Sequence, residues 1–140
     1  MNNNIFYTFQ RMGSNKIGEL IAIEIDKVKL KKLNRIYYIY NVKKNHRRGF
    51  HAHKKLEQLA WCPYGSIEIT LDNGNSKNIY KLDSPEKALY IGPGIWREMK
   101  WLKTGSVLCV AASELYDEDD YIRNYEEFIQ MVNEGYWNEK

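Results

Sequence analysis

Long apolar runs are missing from this chain. No stretch approaches the roughly 18–20 consecutive apolar residues that a membrane-spanning helix needs, so no membrane partner is expected. Cysteine is scarce: Cys62 and Cys109 are the two in 140 residues. They form no CxxC spacing, which excludes a zinc ribbon or a disulfide framework. Both lie in apolar strand-like runs and read as reduced, buried small hydrophobes. The N-terminus, Met1-Asn2-Asn3-Asn4, lacks the basic start and apolar stretch of a signal peptide, so the cytoplasm is the expected address. Internal repeats, linkers and low-complexity tracts are lacking too. What remains is globular composition, 44% hydrophobic and 14% aromatic. The length suits a single domain over residues 1–140, with enough chain for a real core.

The net charge of +3 hides an asymmetry. Residues 1–55 carry 13 Lys and Arg against Glu19, Glu24 and Asp26, a balance of +10. Residues 56–140 carry 8 basic and 15 acidic residues, a balance of −7. A basic half suits an anionic partner. Lys27, Lys29, Lys31 and Lys32 also read simply as a solvated loop. No recognised nucleic-acid motif accompanies the charge, so nucleic acid is not the expected partner.

Period-two alternation dominates the chain. Ile21, Ile23 and Ile25 alternate with Ala22 and Glu24, and Ile67, Ile69 and Leu71 alternate with Ser66, Glu68 and Thr70; both runs read as half-buried strands. Arg35 to Val42 is a strand by its aromatic and β-branched content. Gln58–Cys62, Lys77–Leu82, Ala88–Gly92, Ile95–Trp101 and Val107–Ala112 complete the set. Asp72-Asn73-Gly74-Asn75 is a hairpin signal because Asn and Gly tolerate positive φ, and Gly92-Pro93-Gly94 is a second sharp turn. Only the C-terminal stretch changes period. Tyr121, Ile122, Tyr125, Phe128, Ile129 and Val132 fall at helical spacing, and Asp119 and Asp120 near the start suit the helix dipole. These elements predict an all-β sandwich or small barrel closed by one helix.

The chemistry concentrates in Arg47-Arg48-Gly49-Phe50-His51-Ala52-His53-Lys54. Two residues apart on a strand, His51 and His53 point to one face. Paired imidazoles serve as two metal ligands or as an acid/base pair; an HxH spacing on its own also arises by chance at a surface histidine. His46, in a basic loop, carries no such signal.

His51-x-His53, Glu57, Gly65 and then Pro93-x-x-Trp96 resemble the two motifs of the cupin superfamily, which implies a cupin-type β-barrel, a jelly roll. Metal-binding cupins take two histidines and a glutamate from the first motif and one histidine from the second. Here Arg97 stands where that last histidine is expected, and a guanidinium has no lone pair to give a metal. The stretch Arg48 to Gln58 is similar to the RGxHAHKxxxQ signature of the nucleotide-sugar 3,4-ketoisomerases. Arg35-Ile36-Tyr37-Tyr38-Ile39, Leu89 to Pro93, Trp96 to Met99, Ala112-Ser113, Tyr116 to Glu118 and Asp120 to Arg123 extend the resemblance over nearly the whole chain. It implies isomerisation of dTDP-4-keto-6-deoxyglucose to a 3-keto sugar, and a homodimer.

That reaction removes the C-3 proton, passes through an enediol and protonates C-4, so no redox cofactor is expected. Imidazole, titrating near pH ~6.5, suits a proton accepted in one step and returned in another. His51 is the expected base and His53 its shuttle partner, with the two roles interchangeable at this point. Tyr37 and Arg97 are candidates to steady the developing oxyanion; each also fits a plain role, Tyr37 as a cross-strand aromatic and Arg97 in a salt bridge. Arg48 and Lys54 are candidates for the pyrophosphate, with Arg48 better shaped for bidentate contact, and Gln58 is a further candidate for substrate binding. Lys54 should point away from the histidines. Two other readings remain open at this point: a metal-dependent cupin enzyme using His51, His53 and Glu57, and a non-catalytic cupin that binds a sugar nucleotide.

Overall fold

A computed structural model of the chain describes residues 3–138. Its elements are β1 (Phe6–Thr8), β2 (Arg11–Ser14), β3 (Gly18–Ile21), β4 (Arg35–Ile39), β5 (Arg47–His53), β6 (Gln58–Tyr64), β7 (Ile67–Asp72), β8 (Lys77–Leu82), β9 (Lys87–Ile91), β10 (Trp96–Trp101), β11 (Val107–Ala112), β12 (Tyr121–Ile122) and α1 (Tyr125–Asn133). Two five-stranded antiparallel sheets form, in the orders β1-β9-β6-β11-β4 and β12-β5-β10-β7-β8, beside a β2–β3 hairpin. Strands such as β4 and β7 bury alternate residues more deeply, as one face of each sheet packs on the other. The result is a jelly-roll sandwich; the two sheets stay distinct rather than closing into one continuous barrel.

Between the sheets, Ile67, Ile69, Leu71, Met99 and Trp101 meet Ala60, Cys62, Leu89, Ile91, Leu108 and Val110. Fully burying each large aliphatic side chain here is worth about 1.5–3 kcal/mol. Cys62 is buried and its thiol is pushed up to about 11, chiefly by burial. Cys109 is half-buried rather than buried, and both cysteines are free. The hairpin at Asn73–Ser76 forms as its residues demand: Gly74 has φ +92° and Asn73 Oδ1 accepts from Asn75 and Ser76 N–H at 2.9 Å each.

The expected strand Arg35–Val42 stops at Ile39, and two further elements depart more widely from the sequence expectation. The alternation at Ile21–Ile25 is real in burial, yet β3 ends at Ile21 and residues 25–27 form a 3₁₀ turn. Ile23 and Ile25 are instead laid across the outer face of the first sheet, against Leu59, Ala88 and Ala111. The helix also starts later than its apolar spacing suggests. Asn124 caps it by accepting from Glu127 N–H at 2.9 Å, so Tyr121 and Ile122 fall outside it. These two residues pair with β5 as a short edge strand, Tyr121 opposite His53 and Ile122 opposite Ala52. Asp119 and Asp120 consequently lie in a 3₁₀ turn, not in the first turn of α1. Phe128, Ile129 and Val132 of α1 then cover Ala52 and Trp96 on the outer face of the second sheet.

Candidate functional site

The site is organised by a bulge in β5. Arg97 pairs with His51, while the next residue of β10, Glu98, pairs with Gly49, so β5 spends one extra residue there. Gly49 and Phe50 absorb it at φ +95° and +59°. A Cβ on Gly49 would stand 2.9 Å from the Arg97 carbonyl oxygen, so only glycine fits. In an unbroken strand Arg48 would face away from His51. The bulge resets the phase, sets Arg48 opposite Met99, and brings both into the same cavity as His51.

The two imidazoles touch edge to face, with ring centroids 4.9 Å apart. His51 Nδ1 lies 3.1 Å from the Gly49 carbonyl oxygen, and His53 Nδ1 lies 3.1 Å from Asp120 Oδ2. Both partners are acceptors only, so each neutral ring carries its proton on Nδ1 and a lone pair on Nε2. Burial and the nearby Arg97 hold His51 down at about 3 and push His53 lower still. The pair is therefore neutral at physiological pH. Tyr121, brought in by its pairing with His53, packs on both rings at 5.0 and 4.4 Å.

Beside the pair, a chain of hydrogen bonds runs from Arg97 to the cavity. Arg97 Nη1 donates to Gln58 Oε1 and its Nη2 donates to the Ile95 carbonyl at 3.1 Å. Gln58 Nε2 then donates to Tyr37 Oη at 2.9 Å. With its oxygen already accepting, Tyr37 has its own O–H free to donate. Burial raises the Tyr37 pKa, so the hydroxyl stays protonated. Arg97 is itself 2% exposed, and burial lowers its pKa to about 10, still a cation at neutral pH.

The cavity has a volume of about 470 Å³ and includes Arg35, Tyr37, Arg47, Arg48, His51, Tyr121 and Arg123 among its walls. Among the described residues, four guanidinium groups and no carboxylate line it. Such a wall suits an anion of more than one charge.

Residues 2–133 match the family model described as FdtA: WxcM-like, C-terminal. A TDP-4-oxo-6-deoxy-alpha-D-glucose-3,4-oxoisomerase of Aneurinibacillus thermoaerophilus is 48% identical over 115 residues, 82% of this chain and 83% of that one. The chain belongs to this family of sugar 3,4-ketoisomerases. Among solved structures of the family, QdtA of Thermoanaerobacterium thermosaccharolyticum, a sugar 3,4-ketoisomerase in complex with TDP, superposes with a TM-score of 0.83. It is 43% identical, over 96% of this chain and 98% of its own. WlaRB of Campylobacter jejuni, a TDP-quinovose 3,4-ketoisomerase, gives 0.83 at 40% identity over 93% and 99% of the two chains.

Within this family frame, the expected residues divide into three groups. His51, Tyr37 and Arg48 line the cavity; His53, Gln58 and Arg97 are buried and joined to it through ring contacts and the Tyr37 hydrogen bond. Lys54 stands apart, one residue beyond His53 and outside the cavity wall. Glu57 is turned to Tyr90, whose hydroxyl donates to it at 2.8 Å. The inward neighbour on β6 is the amide of Gln58. Among the described residues no three His, Cys, Asp or Glu side chains gather as metal ligands, so the His51, His53 and Glu57 set does not assemble.

Sequence reasoning missed four contributors. His46, read as featureless, lines the cavity, as do Arg35 and Arg123, both contained in runs that carry the family resemblance. Asp120 was assigned to the helix start by its charge, and its signal was present in the run Asp120-Tyr121-Ile122-Arg123. Arg123 lies over the Tyr121 ring at 4.1 Å and is held by Glu118 through two bonds of 2.8 and 3.0 Å.

Proposed function

We propose that this protein isomerises dTDP-4-keto-6-deoxyglucose to the 3-keto sugar, by metal-independent proton transfer through an enediol. The observation that carries the reading is the pair of neutral imidazoles, each with its proton fixed on Nδ1 and its Nε2 lone pair presented. His51, on the cavity wall, removes the C-3 proton. Tyr37 donates its hydroxyl to the oxygen on C-4 as charge develops there, and the enediol forms. Protonation of C-4 by a donor or water on the opposite ring face leaves the carbonyl on C-3. The C-3 hydroxyl proton passes by way of His53 to replace the one Tyr37 gave, and His51 releases its proton to solvent. The relatives' names carry the same substrate class. A homodimer is part of the proposal, on the family resemblance.

Turnover of dTDP-4-keto-6-deoxyglucose by the purified protein, unaffected by exhaustive chelation, is the expected result. A protein that binds the sugar nucleotide without converting it overturns the catalytic reading. Stoichiometric metal whose removal abolishes turnover overturns the metal-independent one. The buried Arg97 cation between the histidines and the core supports metal independence, since it repels a second cation.

Affinity is expected to reside mainly in the dTDP moiety, because the cavity's charged lining is all guanidinium. Free dTDP should compete with substrate. Arg48→Ala should weaken it by about tenfold, the range of one charge-assisted hydrogen bond, and Lys54→Ala by much less, since Lys54 is off the wall. Calorimetry decides, and equal losses in the two variants would contradict the assignment of the pyrophosphate to the Arg48 side.

The gluco configuration at C-4 is the proposed outcome. The substrate's C-3 hydrogen is axial, and a single base returning it on that same face gives the galacto product. The gluco product requires a donor or water on the opposite face. Arg97, a cation even with its pKa at about 10, anchors rather than delivers a proton. The 40% identical relative WlaRB, a TDP-quinovose 3,4-ketoisomerase, fits this direction. Proton NMR of the fresh product should show a large diaxial coupling between H-4 and H-5; a small coupling means galacto.

A further inference from the structure

Asp120 is a buried carboxylate beside the histidine pair to which the proton transfers above assign no task. Its two oxygens accept from three donors. Oδ1 takes Lys55 N–H at 2.9 Å, and Oδ2 takes Leu56 N–H at 3.2 Å together with His53 Nδ1 at 3.1 Å. Its backbone is fixed as well, since its carbonyl accepts Lys54 N–H at 2.9 Å and the next residue, Tyr121, is paired with His53. The carboxylate is thus locked to the strand end that carries His53 from both main chain and side chain. On the far side of the same ring, His53 Nε2 is buried with no hydrogen-bond partner among the described residues. An unprotonated nitrogen held in that state, within ring contact of His51 and Tyr121, has a lone pair free for a proton passed within the site.

We propose that Asp120 is a positioning residue that pins the His53 proton on Nδ1, and thereby makes Nε2 the second proton carrier of the site. The proposal rests on the ketoisomerase reading. A proton reaching His53 enters and leaves at Nε2, while the Nδ1 proton stays in place. Asp120 takes no proton; it steadies the imidazolium for as long as that exists. An amide cannot substitute. Its NH₂ placed at Oδ1 meets Lys55 N–H, and placed at Oδ2 it meets Leu56 N–H. The second placement also drives the His53 proton from Nδ1 to Nε2, the wrong tautomer.

Nitrogen-15 NMR of the imidazoles and steady-state kinetics test this together. The parent should show His53 protonated on Nδ1 and bare on Nε2. Asp120→Asn should lower kcat by about 10²-fold or more, the scale of a mis-set tautomer in a His–Asp pair, with KM and dTDP affinity nearly unchanged. Asp120→Glu should recover part of the loss. In a His53→Asn background, Asp120→Asn should add less than about threefold, because residues acting through one another are not additive. The idea is overturned by a parent spectrum with the proton on Nε2, by Asp120→Asn turning over within about threefold of parent, or by an equal loss in both backgrounds. If Asp120→Asn fails to fold, the parent spectrum still decides. A parent that does not convert the sugar overturns the ketoisomerase reading, and the tautomer spectrum still reports on Asp120.

Discussion

Replacing His51 or His53 by asparagine should leave a folded, dTDP-binding protein whose turnover has fallen by about 10²–10⁴-fold, the usual worth of a general acid or base. The larger loss is expected at His51, which lines the cavity, whereas His53 is 1% exposed behind it. Asparagine preserves a hydrogen-bonding side chain of similar size, so a loss with normal dTDP affinity isolates proton transfer from binding. The pH dependence is a second check. His51 is held down at about 3 by burial and by Arg97, and His53 is pushed lower still, so neither ring gains a proton between about pH 5 and 8. The free enzyme's kcat/KM should therefore show no acid limb near pH ~6.5 from this pair. Stability behaves differently. Below about pH 6.5 the unfolded chain binds protons that the native histidines refuse, so the fold loses stability as the pH drops through that region. Parent-like turnover in both asparagine variants would make the pair structural. An acid limb at about 6.5 that vanishes in His51→Asn would place that ring in water rather than in the buried setting described here.

How much of this was legible before the structure depends on the kind of signal. Strands such as Ile67–Asp72 and Val107–Ala112 alternate because one face meets the opposite sheet, and that pattern is local. Ile23 and Ile25 alternate for the same reason, burial on one side, but no ladder joins them, and pairing is a property of the neighbour, not of the run. The His51–His53 face was readable from spacing alone. Arg48 is a candidate by its place beside the pair and by its shape, although strict alternation would turn it away from His51. The bulge that reverses it depends on Gly49 sitting against the Arg97 backbone, a contact 48 positions away in the chain. Asp120 was misassigned because an acidic residue shortly before an apolar period suits a helix start. The cap at Asn124 wins, and the strand end at His53 draws the carboxylate into the site. The burial of Gln58 was likewise hidden, since Glu57 and Gln58 are equally polar and only the phase of β6 decides which of them turns inward.

Arg97→Met should lower kcat by about 10²–10³-fold, the scale of removing one preorganised oxyanion donor, even though Arg97 does not line the cavity. Its reach is through the amide. Arg97 Nη1 donates to Gln58 Oε1, which fixes the flip of the Gln58 side chain and leaves Nε2 as the donor to Tyr37 at 2.9 Å. Tyr37 therefore accepts on one side and directs its own proton to the substrate oxygen, with each bond in the series polarising the next. Methionine fills similar space without the fork. Gln58 is then free to flip, present its carbonyl to Tyr37 and draw the phenol proton away from the substrate. dTDP affinity should hold, because the guanidinium groups on the cavity wall are untouched. The variant also moves the histidines. Arg97 is the second-largest cause, after burial, of the depressed pKa at both rings, so its removal raises both. The acid limb of kcat/KM should accordingly shift to higher pH in Arg97→Met, a change that a purely structural loss would not produce. Circular dichroism verifies the fold, and the two kinetic readouts separate the roles. A fall in kcat with an unmoved pH profile leaves only the amide relay. An unchanged kcat removes Arg97 from the mechanism.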